Sequence, residues 1–319
     1  MKRYIIDMGT PKQTLFFKPI YEELIRRGIA VDLITRDNPE ALALQQYYKL
    51  PTFPIGGFGK TKEEKLLLGI QRQEKLYQFM SHRDITGLIN FVEPNSSRVA
   101  FGLDIPIFTF IDMPESKKVC QLTIALSEWT FIPFCVPRDT IMHYGARQIY
   151  VYPCLDPMIW LPKKTKKLQM DRPFITYRPA ETEASYYEGF KDITNDIIEE
   201  LRKDKVLHLY PLPRYQGHKI VDLPSLLANS DLFIGGGGTI QIEAAYYGTW
   251  TITTRPFSTY YDTYMLTMEL MSKATTVQDG VRLAKGFLEQ PSKNVASEVL
   301  RKMKFPLREV VDKIVEYER

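Results

Sequence analysis

Four consecutive glycines, residues 235–238, constrain the fold of this chain more than any other stretch of its sequence. The apolar run Leu-Phe-Ile at 232–234 predicts a short strand, buried on both faces of a parallel sheet. Because glycines lack a β-carbon, the chain can turn sharply after this strand and a ligand can approach the backbone closely. The next segment predicts a helix that Gly238 or Thr239 caps and that ends at Gly248. Such a helix N-terminus presents unpaired N–H groups, so we predict a phosphate site here.

Glu243 lies in the first or second turn of that predicted helix. At this position its carboxylate can accept hydrogen bonds from the hydroxyls of a ribose. The alternative is that Glu243 only complements the helix dipole, which is worth roughly 0.3–1 kcal/mol. Because four consecutive glycines are costly in chain entropy, a bound ligand explains the stretch better than a purely structural turn.

A second glycine-rich stretch, Gly-Gly-Phe-Gly-Lys-Thr at 56–61, resembles a phosphate loop only in part. A P-loop requires another glycine five residues before Gly59, and Pro54 occupies that position. We therefore predict a basic surface loop here and no ATP site. The next segment, 62–82, predicts a long helix. Its expected buried stripe consists of Leu66, Leu67, Ile70, Leu76 and Phe79.

Strand and helix patterns alternate along the chain, and the short joins predict right-handed βαβ units in parallel sheets. At 319 residues the chain exceeds the usual size of one hydrophobic core, so we predict two domains. A stretch rich in proline and lysine, 157–170, is typical of a linker. The expected domains are 1–160 and 171–305, followed by a helix at 306–319 that can pack back on the N-terminal domain.

The composition excludes several classes of protein. A content of 44% hydrophobic and 25% charged residues is typical of a globular chain, and no apolar run approaches the ~20 residues of a membrane span. The net charge of +4 is weak evidence for binding nucleic acid, so no nucleic acid partner is expected. Three scattered cysteines do not form a disulfide framework. The four histidines lack the spacing of metal ligands, so we expect neither a metal nor a cofactor.

The N-terminus enters a strand directly and shows no signal peptide pattern, which predicts a cytoplasmic protein. Peripheral contact with the inner face of a membrane is a further expectation. It rests on Phe16, Phe17 and Phe58 with the lysines near them, although ordinary core packing explains these aromatic residues equally well.

Ligands of open α/β sheets bind beyond the carboxyl ends of the strands, so the turns there contain the candidate catalytic groups. The turn after the first strand contains Gly9 and Lys12. The Lys12 ammonium could neutralise a phosphate, or it could simply be solvated. Asp112 directly follows an apolar strand and is the first candidate for a general base, with Glu93 as the second. For both acids the alternative is the capping or ordering of a loop.

Three stretches carry a resemblance to a known family. They are Asp-Met-Gly-Thr-Pro-Lys-Gln-Thr-Leu-Phe-Phe-Lys-Pro at 7–19, Arg-Val-Ala-Phe-Gly-Leu-Asp-Ile-Pro at 98–106, and the run 234–239 with Glu-Ala-Ala at 243–245. The chain resembles, over nearly its whole length, a largely archaeal family of unknown function. That family is grouped with the GT-B glycosyltransferases and lies near the UDP-N-acetylglucosamine 2-epimerases. The resemblance implies an α/β fold of the GT-B kind, with two Rossmann-like domains facing across a cleft.

The resemblance also implies that the C-terminal domain holds most of a nucleotide sugar. The residues that would bind its diphosphate are Gly235, Gly236, Gly237, Gly238 and Thr239. Glu243 would bind the ribose, and Arg178 would bind phosphate, unless Arg178 forms a surface ion pair with Glu181 or Glu183. The loop that ends at Arg214 would receive the base. Asp262 would reach the hydroxyls of the donor sugar.

The chain departs from the family pattern at Gln13 and near Val92–Glu93, where the family often has histidine, and at Ile242, where it has arginine. These departures leave the catalytic base open. The predicted function is transfer of a sugar from a nucleotide donor, with UDP expected, to an unknown glycan, lipid-linked or small-molecule acceptor. The alternatives are a nucleotide-sugar 2-epimerase or hydrolase, and a non-catalytic subunit that binds a nucleotide sugar. The oligomeric state is left open by the sequence.

Overall fold

The computed structural model describes residues 2–57, 59, 61–180, 189–212, 220–290 and 294–317. The chain divides into two compact units. Unit 1 contains the described residues of 2–154, 220 and 305–317, and unit 2 contains those of 155–212 and 221–304. Each unit is built on its own parallel sheet with helices, so the prediction of two Rossmann-like α/β domains is confirmed.

The sheet of unit 1 has seven parallel strands in the order β3-β2-β1-β4-β5-β6-β7. They are β1 Arg3–Asp7, β2 Ala30–Asp37, β3 Thr52–Gly57, β4 Gly87–Phe91, β5 Ile107–Phe110, β6 Trp129–Pro133 and β7 Gln148–Tyr152. From β1 to β3 each new strand is added toward one edge of the sheet, and from β4 to β7 each new strand is added toward the other edge. The turns after β1 and β4 therefore lie at the switch point of the sheet, where ligands of open α/β sheets bind.

Helices connect the strands of unit 1, and the helix predicted over 62–82 is observed at Lys62–Met80. The helices of unit 1 are α1 Pro11–Arg26, α2 Pro39–Tyr47, α3 Lys62–Met80, α4 Pro94–Gly102, α5 Lys117–Gln121 and α6 Arg138–Met142, with a 3-10 turn at Ile124–Leu126. On α1, Phe16 and Phe17 are fully buried and make edge-to-face contacts with the ring of Phe110. They belong to the core and are not available to a membrane, while Phe58 lies outside the described residues.

Helix α3 is oriented differently from the prediction. Leu66, Leu67 and Ile70, which were expected to be buried, are exposed to solvent, whereas Leu76 is buried as expected. The largest fully buried side chain on this helix is instead Arg72. Its guanidinium pairs with carboxylates at the edge of the sheet, on the face of α3 that also buries Leu76 and Met80. Hydrophobic periodicity cannot detect this ion pairing.

The sheet of unit 2 has five parallel strands in the order β12-β11-β10-β8-β9. They are β8 Phe174–Arg178, β9 His208–Pro211, β10 Leu232–Gly235, β11 Trp250–Thr253 and β12 Ser272–Lys273. Its helices are α7 Thr194–Leu201, α8 Leu223–Ala228, α9 Thr239–Tyr246, α10 Tyr260–Thr267, α11 Val277–Leu288 and α12 Ala296–Leu300, with a 3-10 turn at Asp156–Ile159. The switch point of this sheet lies between β8 and β10, so the glycine run follows a strand at that point.

The last helix, α13 Leu307–Val315, packs within unit 1 although it follows unit 2 in sequence. The Tyr4 hydroxyl on β1 donates a hydrogen bond of 3.1 Å to the carbonyl of Ile314. Arg27, at the end of α1, pairs with Asp312. Among the described residues, no helix combines the length and the apolar composition needed to cross a bilayer.

Candidate functional site

The glycine turn of unit 2 has a conformation that other residues rarely adopt. Gly237 and Gly238 have φ angles of +106° and +89°. A β-carbon on Gly237 would lie 2.1 Å from Nε of Arg255, so the arginine packs directly against the glycine backbone. The glycine at 237 is therefore required both by the left-handed backbone and by the arginine beside it.

Helix α9 starts directly from this turn, with Gly238 as its N-cap and no side chain capping it. The first N–H groups of an α-helix lack partners within the helix, and the helix dipole adds partial positive charge at the same end. The turn thus points several hydrogen-bond donors outward from the carboxyl end of β10. This arrangement is suited to a phosphate group.

Arg255 is the site residue that sequence reasoning missed. It follows β11, and its side chain is only 8% exposed. Its Nη1 donates a 2.7 Å hydrogen bond to Asp262, while its Nε is buried without a hydrogen-bond partner in the part of the chain that the structure describes. A cation in the turn after the strand that follows the glycine run was the signal that could have identified it, because the carboxyl ends of neighbouring parallel strands share one sheet edge.

Asp262 is buried beside Arg255. Its carboxylate accepts hydrogen bonds from Arg255, from the N–H and hydroxyl of Thr259, and from the side-chain amide of Gln241. The residue is 1% exposed and caps the N-terminus of α10. Both of its oxygens accept hydrogen bonds within unit 2, and the contact of Asp262 with the hydroxyls of the donor sugar stays a prediction. Asp262 positions Arg255.

Glu243 is buried on α9, in the same charged environment as Arg178 at the end of β8. Burial raises the pKa of Glu243 to about 7, against the charge of Arg178 and a hydrogen bond from the Thr239 hydroxyl, which both lower it. The structure thus brings three of the predicted residues together beside the glycine turn. Burial disfavours the charged form of this carboxylate. Hydrogen bonds from ligand hydroxyls would therefore stabilise it more than they would stabilise a carboxylate that water already hydrates.

Two parts of the predicted nucleotide site cannot be placed. Arg214 lies outside the described residues, and so do Glu181 and Glu183, the alternative partners of Arg178. The roles given to these residues stay predictions.

In unit 1, an ion pair joins the first turn of α1 to the segment after β5. Nζ of Lys12 lies 2.6 Å from Oδ2 of Asp112 and 4.2 Å from the centre of the Phe91 ring. The side chains of Lys12 and Asp112 are 25% and 19% exposed, so a ligand can reach both. The Asp112 carboxylate can accept a proton, and the Lys12 ammonium orients that carboxylate.

Glu93 lies in a more constrained position than Asp112. It caps α4 by accepting hydrogen bonds from the N–H and the hydroxyl of Ser96, at 2.6 and 3.0 Å. Burial raises its pKa, but the charges of Arg72 and Arg36 and the Ser96 N–H outweigh burial and lower the pKa to about 2. These contacts favour the capping interpretation, because such a carboxylate is a poor proton acceptor near neutral pH.

Glu93 belongs to a cluster of charged residues at the carboxyl ends of the strands, with Asp7, Arg36 and Arg72. Nη2 of Arg72 binds both oxygens of Asp7, at 2.9 and 3.0 Å, and Arg36 pairs with Glu93. Gly9 lies against the stem of Arg36, whose Cγ would be 3.3 Å from a β-carbon on the glycine. Gly9 therefore makes room for an arginine at the carboxyl end of β2, in addition to its predicted place beside a ligand.

Comparisons with known sequences give the family. The model of a family described as "Protein of unknown function (DUF354)" matches residues 3–319. A relative described as "Uncharacterized protein MJ0665", from Methanocaldococcus jannaschii, is 27% identical over 277 residues, which are 79% of this chain and 81% of the relative.

Comparisons with solved structures give the fold. The UDP-GlcNAc 2-epimerase from Neisseria meningitidis, solved bound to UDP-GlcNAc, aligns with a TM-score of 0.73 at 14% identity and covers 99% of both chains. The spinosyn rhamnosyltransferase SpnG, solved with thymidine diphosphate, aligns with a TM-score of 0.66 at 12% identity, covering 99% of this chain and 100% of that one. At such low identity the likeness shows the fold alone, which is that of the GT-B glycosyltransferases and these epimerases.

Proposed function

Because this chain belongs to the DUF354 family of proteins of unknown function, we propose its function from the geometry of its site: it transfers a sugar from a nucleotide donor to an acceptor. In this proposal the donor is a UDP-sugar bound by unit 2. The acceptor-side groups belong to unit 1. The two neighbours solved with UDP-GlcNAc and with thymidine diphosphate support a nucleotide ligand for this fold.

One observation carries the proposal, namely the uncapped start of α9 with a buried arginine packed against its glycine turn. Donors of hydrogen bonds and a guanidinium converge there on one point. In the described residues nothing accepts a hydrogen bond from Nε of Arg255, and a phosphate oxygen is the acceptor that fits a guanidinium edge. A diphosphate would thus complete interactions that the protein leaves open.

The proposed mechanism uses each group for a separate task. The amides of the turn and Arg255 stabilise the negative charge that develops on the departing nucleotide diphosphate. Glu243 accepts hydrogen bonds from the ribose, and Arg178 adds positive charge beside it. Asp112, oriented by Lys12, removes the proton from the acceptor hydroxyl as the new glycosidic bond forms. The proton moves to the Asp112 carboxylate and the bond from sugar to phosphate breaks.

The test is to incubate the purified protein with UDP-sugars, with and without candidate acceptors, and to measure released UDP and altered sugars. Release that requires an acceptor supports transfer. Release without an acceptor, or conversion of the sugar at C2, supports a hydrolase or an epimerase. Tight binding without any conversion supports a non-catalytic subunit. Absence of binding to every nucleotide sugar would refute the proposal.

Replacing Asp112 with asparagine should reduce turnover roughly tenfold or more, because the amide cannot take up the proton of the acceptor. Affinity for UDP should not change, since the proposed nucleotide site belongs to unit 2. The measurement is a comparison of turnover and of calorimetric UDP binding. Asp139→Asn, at an exposed aspartate of unit 1, is the matched control and should behave like the unmodified protein. Full activity of Asp112→Asn would remove Asp112 from the mechanism.

A further inference from the structure

A small cavity in unit 1 is lined by positively charged side chains. Its volume is about 70 Å³, and the charged and amide groups around it come from Arg36, Lys65, Arg72 and Asn95. Glycines at positions 57 and 69 form part of the wall. The cavity therefore lies beside the carboxyl ends of β2 and β3, between the sheet edge and helix α3.

The cations around this cavity outnumber the carboxylates that neutralise them. Asp7 and Glu93 pair with Arg72 and Arg36, and Lys65 adds a third positive charge. Arg72 is 1% exposed, and its Nη1 lies 2.9 Å from Oε2 of Glu93 while its Nη2 binds Asp7, so both carboxylates are already paired with this one guanidinium. The positive charge that these two carboxylates leave uncompensated favours an anionic ligand in the cavity.

The residues that line the cavity leave space between them and are held in position by contacts with their neighbours. A β-carbon on Gly69 would lie 3.2 Å from Oδ1 of Asn95, so a larger residue there would press on the cavity wall. Asn95 is itself fixed, because it accepts a hydrogen bond from Gln73 and donates one to Glu93. The groups around the cavity are thus held in place before any ligand binds.

The volume limits what can enter. A cavity of about 70 Å³ has room for a few water molecules, which matches one oxyanion and not a whole nucleotide sugar. We propose that this cavity binds an oxyanion group, phosphate or carboxylate, of the acceptor substrate. The assignment to the acceptor rests on the proposed function, whereas the anion site itself does not.

The experiment measures binding of inorganic phosphate and of malonate by calorimetry in the presence of saturating UDP. UDP occupies the glycine turn, which would otherwise also attract phosphate. In Lys65→Met the dissociation constant of the bound anion should rise at least fivefold. Lys75→Met, at another exposed lysine of α3 that does not line the cavity, is the matched control and should change nothing. UDP affinity should be the same in both variants.

The outcomes separate the two proposals. Weaker anion binding in Lys65→Met alone supports the cavity, and the anion that binds identifies the group. Equal anion binding in the two variants, or binding of neither anion, overturns the cavity site even if UDP binds. Failure of UDP binding, by contrast, refutes the UDP donor of the proposed function and not the cavity site. The anion titration is then repeated without UDP, and the difference in anion affinity between Lys65→Met and Lys75→Met decides whether the cavity binds the anion.

Discussion

Replacing Glu243 with glutamine is expected to stabilise the folded protein above pH 7 while weakening its binding of UDP. The ordinary pKa of this group is 4.5, and burial raises it to about 7 in the fold. When the pKa of a carboxyl group is higher in the folded state than in the unfolded state, the free energy of unfolding falls as the pH rises from the unfolded pKa through the folded pKa. Glutamine has no charge to bury, so the variant should gain up to about 3 kcal/mol of unfolding free energy at pH 8 and almost none at pH 4.

The loss of affinity has a separate cause. The proposed role of Glu243 is to accept hydrogen bonds from two ribose hydroxyls, and a glutamine has only one acceptor oxygen and no charge. Hydrogen bonds to charged groups are the stronger ones, so we expect UDP affinity to fall roughly tenfold or more. A purely structural residue would not combine higher stability with poorer binding.

Urea unfolding at pH 4 and pH 8, with UDP calorimetry at pH 8, tests this expectation. Glu93→Gln is a control of opposite sign, because the pKa of Glu93 is lowered to about 2 and its charge therefore stabilises the fold above pH 4.5. Removing that charge leaves Arg72 buried without one partner, which should cost about 3 kcal/mol at pH 8. Unchanged UDP affinity in Glu243→Gln would exclude Glu243 from the nucleotide site.

Replacing Gly237 with alanine should abolish measurable UDP binding and destabilise unit 2. The residue has a φ of +106°, and the added methyl carbon would lie 2.1 Å from Nε of Arg255. Either the turn or the guanidinium must move, and Arg255 is held by its buried bond to Asp262. Backbone strain and overpacking together predict a loss of about 2–5 kcal/mol in stability. UDP affinity should fall roughly a hundredfold or more, equivalent to about 3 kcal/mol.

Gly238→Ala separates strain from collision in the same turn. Its φ is +89°, but a β-carbon there would meet no atom within 4 Å. Because its ψ is 179°, the residue lies in a region that is essentially restricted to glycine, and this variant should lose about 1–3 kcal/mol from backbone strain alone. Thermal unfolding and UDP calorimetry of both variants give the comparison. Wild-type UDP binding by Gly237→Ala would contradict the proposal that the diphosphate sits on this turn.

Local sequence patterns were sufficient to predict the main strands and helices of the fold. The apolar run before Gly235 and the glycines after it predicted β10, its turn and the start of α9, because backbone preferences of short segments are local properties. The alternation of strands and helices predicted two parallel-sheet domains, and the motif resemblance predicted the family, which the match over residues 3–319 confirms.

The hydrophobic pattern failed on α3 for an identifiable reason. It assigned Leu66, Leu67 and Ile70 to the core, yet the buried face of α3 holds Arg72 together with Leu76 and Met80. Periodicity measures apolar burial only. It cannot show that Arg72 pairs with Asp7 and Glu93 at the sheet edge. These carboxylates lie 65 residues before Arg72 and 21 residues after it in the sequence.

The sequence by itself therefore determined the two α/β domains, the glycine turn and the presence of charged residues in the turns that follow the strands. Only the tertiary structure decided which of those charges meet. It placed Arg255 against Gly237, engaged Asp262 with that arginine, and left Asp112 in a solvent-accessible pair with Lys12. The physical reason is that ion pairing and burial depend on distances between residues far apart in the chain, which no local pattern contains.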